Sequence, residues 1–293
     1  EKPVKVNPLR RSIAANMTNS WHTSPRVTYT RPVEVTAMKD LRAKLKDGLK
    51  EQGIKLTYNH ILMKVVAKAL MEFPDVNASF ADNMLTRHKH VNMGLAVAKG
   101  DGLIVPNVKN ADSKSLAEIA KETEALIEAT RSGKIDMKDM TGGTFTISSL
   151  GPYGVRSFSP IINQPELAIL GVCDIVDTPI VCNGEIVIRP MMNLCLTADH
   201  RVVDGVMASK FMKRVVELLE NLSNTITETA LCGLGQSACK PVQSTLRYFR
   251  DEYLAHVVDH HCPICNGRKR HLEIIPELCK GCGKCARNCP MDA

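Results

Sequence analysis

The chain has 293 residues, a formal net charge of +7 and an apolar fraction of 44%, a profile that fits one large folded domain with a small appendage. No apolar run is long enough to span a bilayer, and the opening Glu1-Lys2-Pro3-Val4-Lys5 lacks the apolar centre of a secretory signal. The positive charge is dispersed, which suits an anionic small-molecule ligand rather than nucleic acid and leaves a cytoplasmic address as the expectation.

Aromatic residues make up 4% of the chain, so any core must be built from aliphatic side chains and methionine. Glu1–Lys5 reads as the end of a linker. Asn7 is placed to cap a helix, with Pro8 in the first turn and Leu9–Ser20 continuing it. Val27–Val35 alternates and predicts a strand. Helices follow over Met38–Glu51 and Asn59–Phe73, the second apolar nearly all round and therefore expected to be buried. Val91–Ala98 and Gly102–Val108 read as strands. Ser115-Leu116-Ala117-Glu118 has the spacing of a capping box and opens a helix that runs to Ser132, where Gly133 ends it. Strands are then expected at Thr144–Ser149, Leu167–Val172 and Asn193–Thr197. Ile180–Cys182 and Glu185–Val187 flank Asn183-Gly184, a strong hairpin signal. A final amphipathic helix over Val206–Leu222 places Phe211, Val215, Leu218 and Leu222 on one face. The expected class is α+β, a mixed sheet with helices packed against it.

Cysteine use then divides the chain. Of 11 cysteines, only Cys173, Cys182 and Cys195 precede residue 223, each in an apolar or strand-like setting. The rest crowd between Cys232 and Cys289 with metal-ligand rather than disulfide spacing. The boundaries expected are a linker remnant over 1–5, a catalytic domain over 6–222, a polar junction over 223–230 and a cysteine-rich segment over 231–293.

Asp199-His200-Arg201-Val202-Val203-Asp204-Gly205 joins a predicted strand to a predicted helix. Thiol–thioester exchange needs a base for the incoming thiol and a donor for the tetrahedral oxyanion. A histidine suits the first task. Taken alone, His200 reads first as a structural histidine and Ser148 as a strand serine bonded to the backbone, while Asp204 reads as a helix cap or first-turn acid. The full string, however, resembles the signature of dihydrolipoamide acyltransferases, the second component of 2-oxo acid dehydrogenase complexes. Gly142–Gly151, Val91–Ala98 and Asp101–Pro106 resemble further segments of that family, in order, from about Val6 to Leu222.

The resemblance implies a chloramphenicol-acetyltransferase-like fold. It also implies acyl transfer, of acetyl as in pyruvate or acetoin complexes, between dihydrolipoamide and coenzyme A. His200 would be the general base, Ser148 the oxyanion donor, and Asp204 an organiser of the site. Asp199 and Arg201 would form structural ion pairs. It implies a homotrimer in which His200 of one subunit meets Ser148 of the next, built into a cubic or dodecahedral core served by lipoyl domains and other complex components. Family members carry lipoyl domains upstream, so lipoamide is expected to arrive in trans. The coenzyme A pocket is not assignable to single residues. A chloramphenicol-acetyltransferase-like antibiotic acetylase is a related alternative, and an inactive scaffold a more distant one.

Cys279, Cys282, Cys285 and Cys289, followed by Pro290, match the bacterial ferredoxin run C-x2-C-x2-C-x3-C-P, whose first three thiolates reach one 4Fe-4S cubane and whose fourth ligates the other cluster in two-cluster ferredoxins. A zinc ribbon from Cys262, Cys265, Cys279 and Cys282 competes. The stretch from Leu231 to Tyr253 resembles the C-terminal part of the flavin-binding subunit of NAD(P)-linked hydrogenases and NADH dehydrogenases. Cys232 there completes a cluster whose other ligands have no counterpart here. An iron–sulfur electron-transfer protein is accordingly the alternative function.

Overall fold

The computed structural model describes residues 2–100 and 102–221. Within them the helices are α1 (Pro8–Thr23), α2 (Thr36–Glu51), α3 (Tyr58–Glu72), α4 (Leu116–Ser132), α5 (Met137–Met140) and α6 (Gly205–Glu220). The strands are β1 (Arg26–Glu34), β2 (Ala78–Ala81), β3 (Met84–Arg87), β4 (Met93–Leu95), β5 (Val97–Lys99), β6 (Gly102–Ile104), β7 (Asn107–Val108), β8 (Phe145–Ser149), β9 (Ala168–Cys182) and β10 (Glu185–Asp199).

Six strands form one mixed sheet in the order β1-β10-β9-β8-β4-β7, with parallel pairs at β4/β8 and β8/β9 and antiparallel pairs elsewhere. The α+β class expected from the residue pattern is the class observed. Local signals set the helix ends. Asn7 accepts a hydrogen bond from the Arg10 amide at 2.7 Å, Ser115 and Glu118 form a reciprocal capping box, and Gly133 closes α4 in the left-handed conformation at φ 75°.

Two expected strands on each side of Asn183-Gly184 are single strands of 15 residues, because β9 and β10 pair with each other along nearly their whole length. Both turn residues take positive φ, 51° and 84°, the backbone that a two-residue hairpin of this twist requires. The β2–β3 hairpin, turned at Asp82-Asn83 with φ 49° and 57°, was not anticipated, nor was α5. Val91–Ala98 and Gly102–Val108 each divide into two short strands, and β5 and β6 leave the main sheet to pair with one another.

Strand alternation gives the sheet two unlike faces. One carries Phe145, Ile147, Leu170, Leu194, Leu196 and Ala198, all buried in a cluster with the inner residues of α3 and α6. Phe211 of α6 meets Phe73 edge-on at 5.7 Å and Phe145 at 6.0 Å. Phe211, Val215 and Leu218 face this core as the helix pattern predicts, while Leu222 lies outside the described residues. Helix α3 is buried on most of its circumference, as expected. The other face of the sheet is polar. Register places Thr28, Thr197 and Thr146 in one row, and Thr30, Cys195 and Ser148 in the next. Segment 157–162 lies over this polar face. Ser159 bonds Thr28, Ser157 approaches the Cys195 Sγ at 3.8 Å, and Phe158 covers Gly171.

Candidate active site

His200 sits at the apex of the turn between β10 and α6, and Asp199 builds that turn. Asp199 is fully buried, its carbonyl accepts from the amides of Val202 and Val203, and its carboxylate accepts from the Arg201 amide and guanidinium at 2.6–3.2 Å. Burial alone would raise the Asp199 carboxyl, but hydrogen bonds from Arg201 and Ser24 hold it below its ordinary value. The expected structural ion pair is thus Asp199 with Arg201. With the turn fixed, the His200 amide donates to the Pro25 carbonyl at 2.8 Å and the residue itself is exposed.

Asp204 caps α6, accepting from the Met207 amide at 2.8 Å, so its helix-cap role is realised. Beside it, Tyr29 of β1 has its phenol pKa raised, first by burial and then by the Asp204 charge. Tyr29 was not singled out from sequence, because its approach to Asp204 depends on β1 pairing with a strand far away in the chain. A cleft of about 340 Å³ opens between the end of α3 and the start of α6, lined by Phe73, Pro74, Asp204, Val206, Met207 and Lys210 among others.

Ser148 lies near the end of β8, on the polar face of the sheet. No hydrogen bond to its hydroxyl is found among the described residues, so it is not the backbone-tied strand serine that its position alone would suggest. Its row runs through Gly171 to Cys195, and His200 follows Cys195 by five residues. At about 3.3 Å per residue along a strand and 4.8 Å between strands, Ser148 and His200 of one copy stand roughly 15–20 Å apart. One chain therefore brings His200 together with Asp204 but not with Ser148.

Cys173 and Cys195 are buried neighbours, Sγ to Sγ 3.7 Å, and Cys182 is exposed. No group of three or more His, Cys, Asp or Glu residues able to hold a metal exists among the described residues. Cys279, Cys282, Cys285 and Cys289, together with Cys262, Cys265 and Cys232, lie outside them. No described helix is long and apolar enough to cross a membrane.

A mixed sheet with helices packed against one face is a fold that this chain shares with solved acyltransferases. The profile of the 2-oxoacid dehydrogenases acyltransferase (catalytic domain) family matches residues 1–227, and the chain belongs to that family. The lipoamide acyltransferase component of the branched-chain alpha-keto acid dehydrogenase complex of Bacillus subtilis is 41% identical over 224 residues, covering 76% of this chain and 53% of the relative. The chain thus spans about half the length of the curated relatives it matches. The dihydrolipoamide acetyltransferase of Azotobacter vinelandii, solved in an investigation of a serine, a histidine and an asparagine in its catalytic mechanism, is 38% identical with a TM-score of 0.74. That match covers 77% of this chain and 93% of the other. The cubic core of a pyruvate dehydrogenase multienzyme complex matches with a TM-score of 0.74 at 39% identity, again covering 77% and 93%. Separately, a 4Fe-4S binding domain profile matches residues 272–293.

Proposed function

We propose that this protein transfers an acyl group between dihydrolipoamide and coenzyme A as the core of a 2-oxo acid dehydrogenase complex. One observation carries the proposal. The serine, histidine and asparagine of the Azotobacter enzyme are spaced 52 and 4 residues apart, the intervals that separate Ser148, His200 and Asp204. Asp204 departs from that asparagine, yet its side-chain oxygen caps α6 as an asparagine oxygen can.

In this mechanism the His200 imidazole takes the proton of the attacking thiol and returns it to the departing one. The thiolate adds to the thioester carbonyl, and the Ser148 hydroxyl donates to the oxyanion that forms. Residues 15–20 Å apart, roughly, in one copy cannot share a reacting carbon. We therefore assign the pair to different copies, His200 from one and Ser148 from the next, in a homotrimer that builds a cubic core like that of the related complex. Lipoyl domains and the other complex components would be its partners, in the cytoplasm. Coenzyme A and lipoamide are substrates. We assign acetyl as the acyl group, as in the Azotobacter relative. The branched-chain relative makes a comparison of acetyl-CoA with isobutyryl-CoA the direct check.

Subunit mixing tests the shared site. His200→Ala and Ser148→Ala chains are each expected to keep about 1% of activity or less alone, but random co-assembly leaves about one interface in four with both groups intact. Recovery of about a quarter of wild-type acetyl transfer is expected. No recovery on co-assembly would place both groups in one copy.

The domain division at 6–222, 223–230 and 231–293 is part of the same proposal. In the last segment, the four thiolates of Cys279, Cys282, Cys285 and Cys289 suit an iron–sulfur cluster better than zinc, because the 4Fe-4S profile spans all four. They would hold a 4Fe-4S centre that supplies one-electron transfer, which keeps electron transfer as a second activity of this chain. Iron and sulfide content of the full chain, compared with a variant lacking these cysteines, decides it.

A further inference from the structure

Glu166 lies two residues before the start of β9 and is 2% exposed. Its Oε1 accepts from the Thr146 hydroxyl at 2.9 Å and from the Asn163 amide at 2.8 Å. Its Oε2 is buried with no hydrogen-bond partner among the described residues. Asn107 of β7, also 2% exposed, donates its side-chain amide hydrogens to the carbonyls of Val105 and Asp139, and its Oδ1 is equally buried with no partner among the described residues.

The two side chains meet over Gly143, and Asn107 and Thr146 meet over Gly94. A Cβ on Gly143 would fall 2.3 Å from Asn107 Oδ1 and 3.0 Å from Glu166 Oε1, and one on Gly94 would fall 2.8 Å from Thr146 Oγ1 and 3.1 Å from Asn107 Oδ1. Two buried acceptors without a donor each carry a desolvation cost, and an amide oxygen cannot gain a proton at ordinary pH. A carboxylic acid can.

We propose that Glu166 is a positioning residue for Ser148, held as a neutral acid that donates its proton to Asn107 Oδ1 while accepting from Thr146. The link to residue 148 rests on the acyl-transfer function proposed above. Thr146 and Ser148 are two residues apart on one face of β8, so the hydrogen bond that anchors Thr146 fixes the register at which Ser148 meets Gly171. Among the described residues, no charge compensates an ionised Glu166. Lys109, just beyond β7, donates to the Thr141 carbonyl, Asp139 of α5 offers only its backbone oxygen, and Asp199 and Arg201 satisfy each other. Burial pushes the Glu166 carboxyl up to about 7, against the opposing pull of the hydrogen bonds from Thr146 and Asn163.

The test compares full-length wild type with Glu166→Gln and Glu166→Ala. A glutamine amide supplies the same donor to Asn107 and the same acceptor to Thr146, without a titrating proton. A carboxyl with a raised folded pKa contributes full stability below its ordinary value and loses it as pH rises toward the folded value. The wild-type unfolding midpoint is therefore expected to fall relative to that of Glu166→Gln between about pH 4.5 and about pH 7, then to run parallel to it. A difference that stays constant over that range overturns the neutral-acid assignment. For acetyl transfer, Glu166→Gln is expected within about twofold of wild type, and Glu166→Ala to lose about tenfold or more in kcat with KM within about twofold. Equal impairment of both variants overturns the positioning role.

If the alanine chain does not fold, the glutamine chain and Thr146→Val decide, the valine variant showing the kcat loss. A readout independent of turnover is the labelling rate of a thiol installed by Ser148→Cys. It is expected to change about fivefold or more on adding Thr146→Val and to hold on adding Glu166→Gln. An unchanged rate in both overturns the coupling even if the acyl-transfer assignment itself fails.

Discussion

The two faces of the central sheet divide the work of the molecule. On one, Phe145, Ile147, Leu170, Leu194 and Leu196 are buried against α3 and α6 in a continuous apolar cluster. On the other, β1, β8 and β10 present Thr28, Thr30, Thr146, Ser148, Cys195 and Thr197, roofed by segment 157–162 rather than by the helix pair. Because side chains alternate along a strand, β8 can contribute Phe145 and Ile147 to stability and Thr146 and Ser148 to the proposed chemistry from consecutive positions. A substitution's effect should therefore depend on which face it strikes rather than on its distance along the chain.

The largest expected effect lies at the rim of the polar face. His200→Ala should lower acyl transfer by about a thousandfold while leaving assembly intact, since the exposed imidazole is not part of the core. Undiminished turnover with dihydrolipoamide and acetyl-CoA would remove His200 from the mechanism. Strand β8 provides the sharpest contrast. Phe145→Ala should cost on the order of 3–5 kcal/mol in chemical denaturation, because the ring is fully buried against Phe211. Ser148→Ala should leave the unfolding midpoint within about 0.5 kcal/mol of wild type and lower kcat about a hundredfold. If the two variants were destabilised alike, the separation of roles by face would be lost. The smallest effect is expected at Thr197→Val, which removes the 2.7 Å hydroxyl contact with Thr28 and should cost about 1 kcal/mol. A cost as large as that at Phe145 would mean that the polar face holds the fold as firmly as the core does.

Local signals were legible where one stretch of chain settles its own conformation. Asn7, the Ser115–Glu118 box, Gly133, Asn183-Gly184 and the apolar stripe of the last helix all act within a few residues, and each is found where the pattern places it. The His200 turn belongs with them. Its histidine, its Asp199–Arg201 clasp and its Asp204 cap occupy one heptapeptide, and the two candidate residues in it emerged together. The length of β9 and β10 was not legible, because polar residues such as Asp174, Asp177 and Thr178 interrupt the apolar pattern and only pairing along the partner strand carries the backbone through them.

What the sequence determined by itself was the inventory of short-range structure, the α+β class and the motif that carries the candidate base. Tertiary structure decided how distant segments meet. It set Tyr29 beside Asp204, stranded Ser148 across the sheet from the His200 of its own copy, and closed Glu166, Asn107 and Thr146 around two glycines. The physical reason is range. A cap or a turn is fixed by bonds between near neighbours, whereas a buried glutamic acid is recognisable only once strands from four parts of the chain have excluded water from around it.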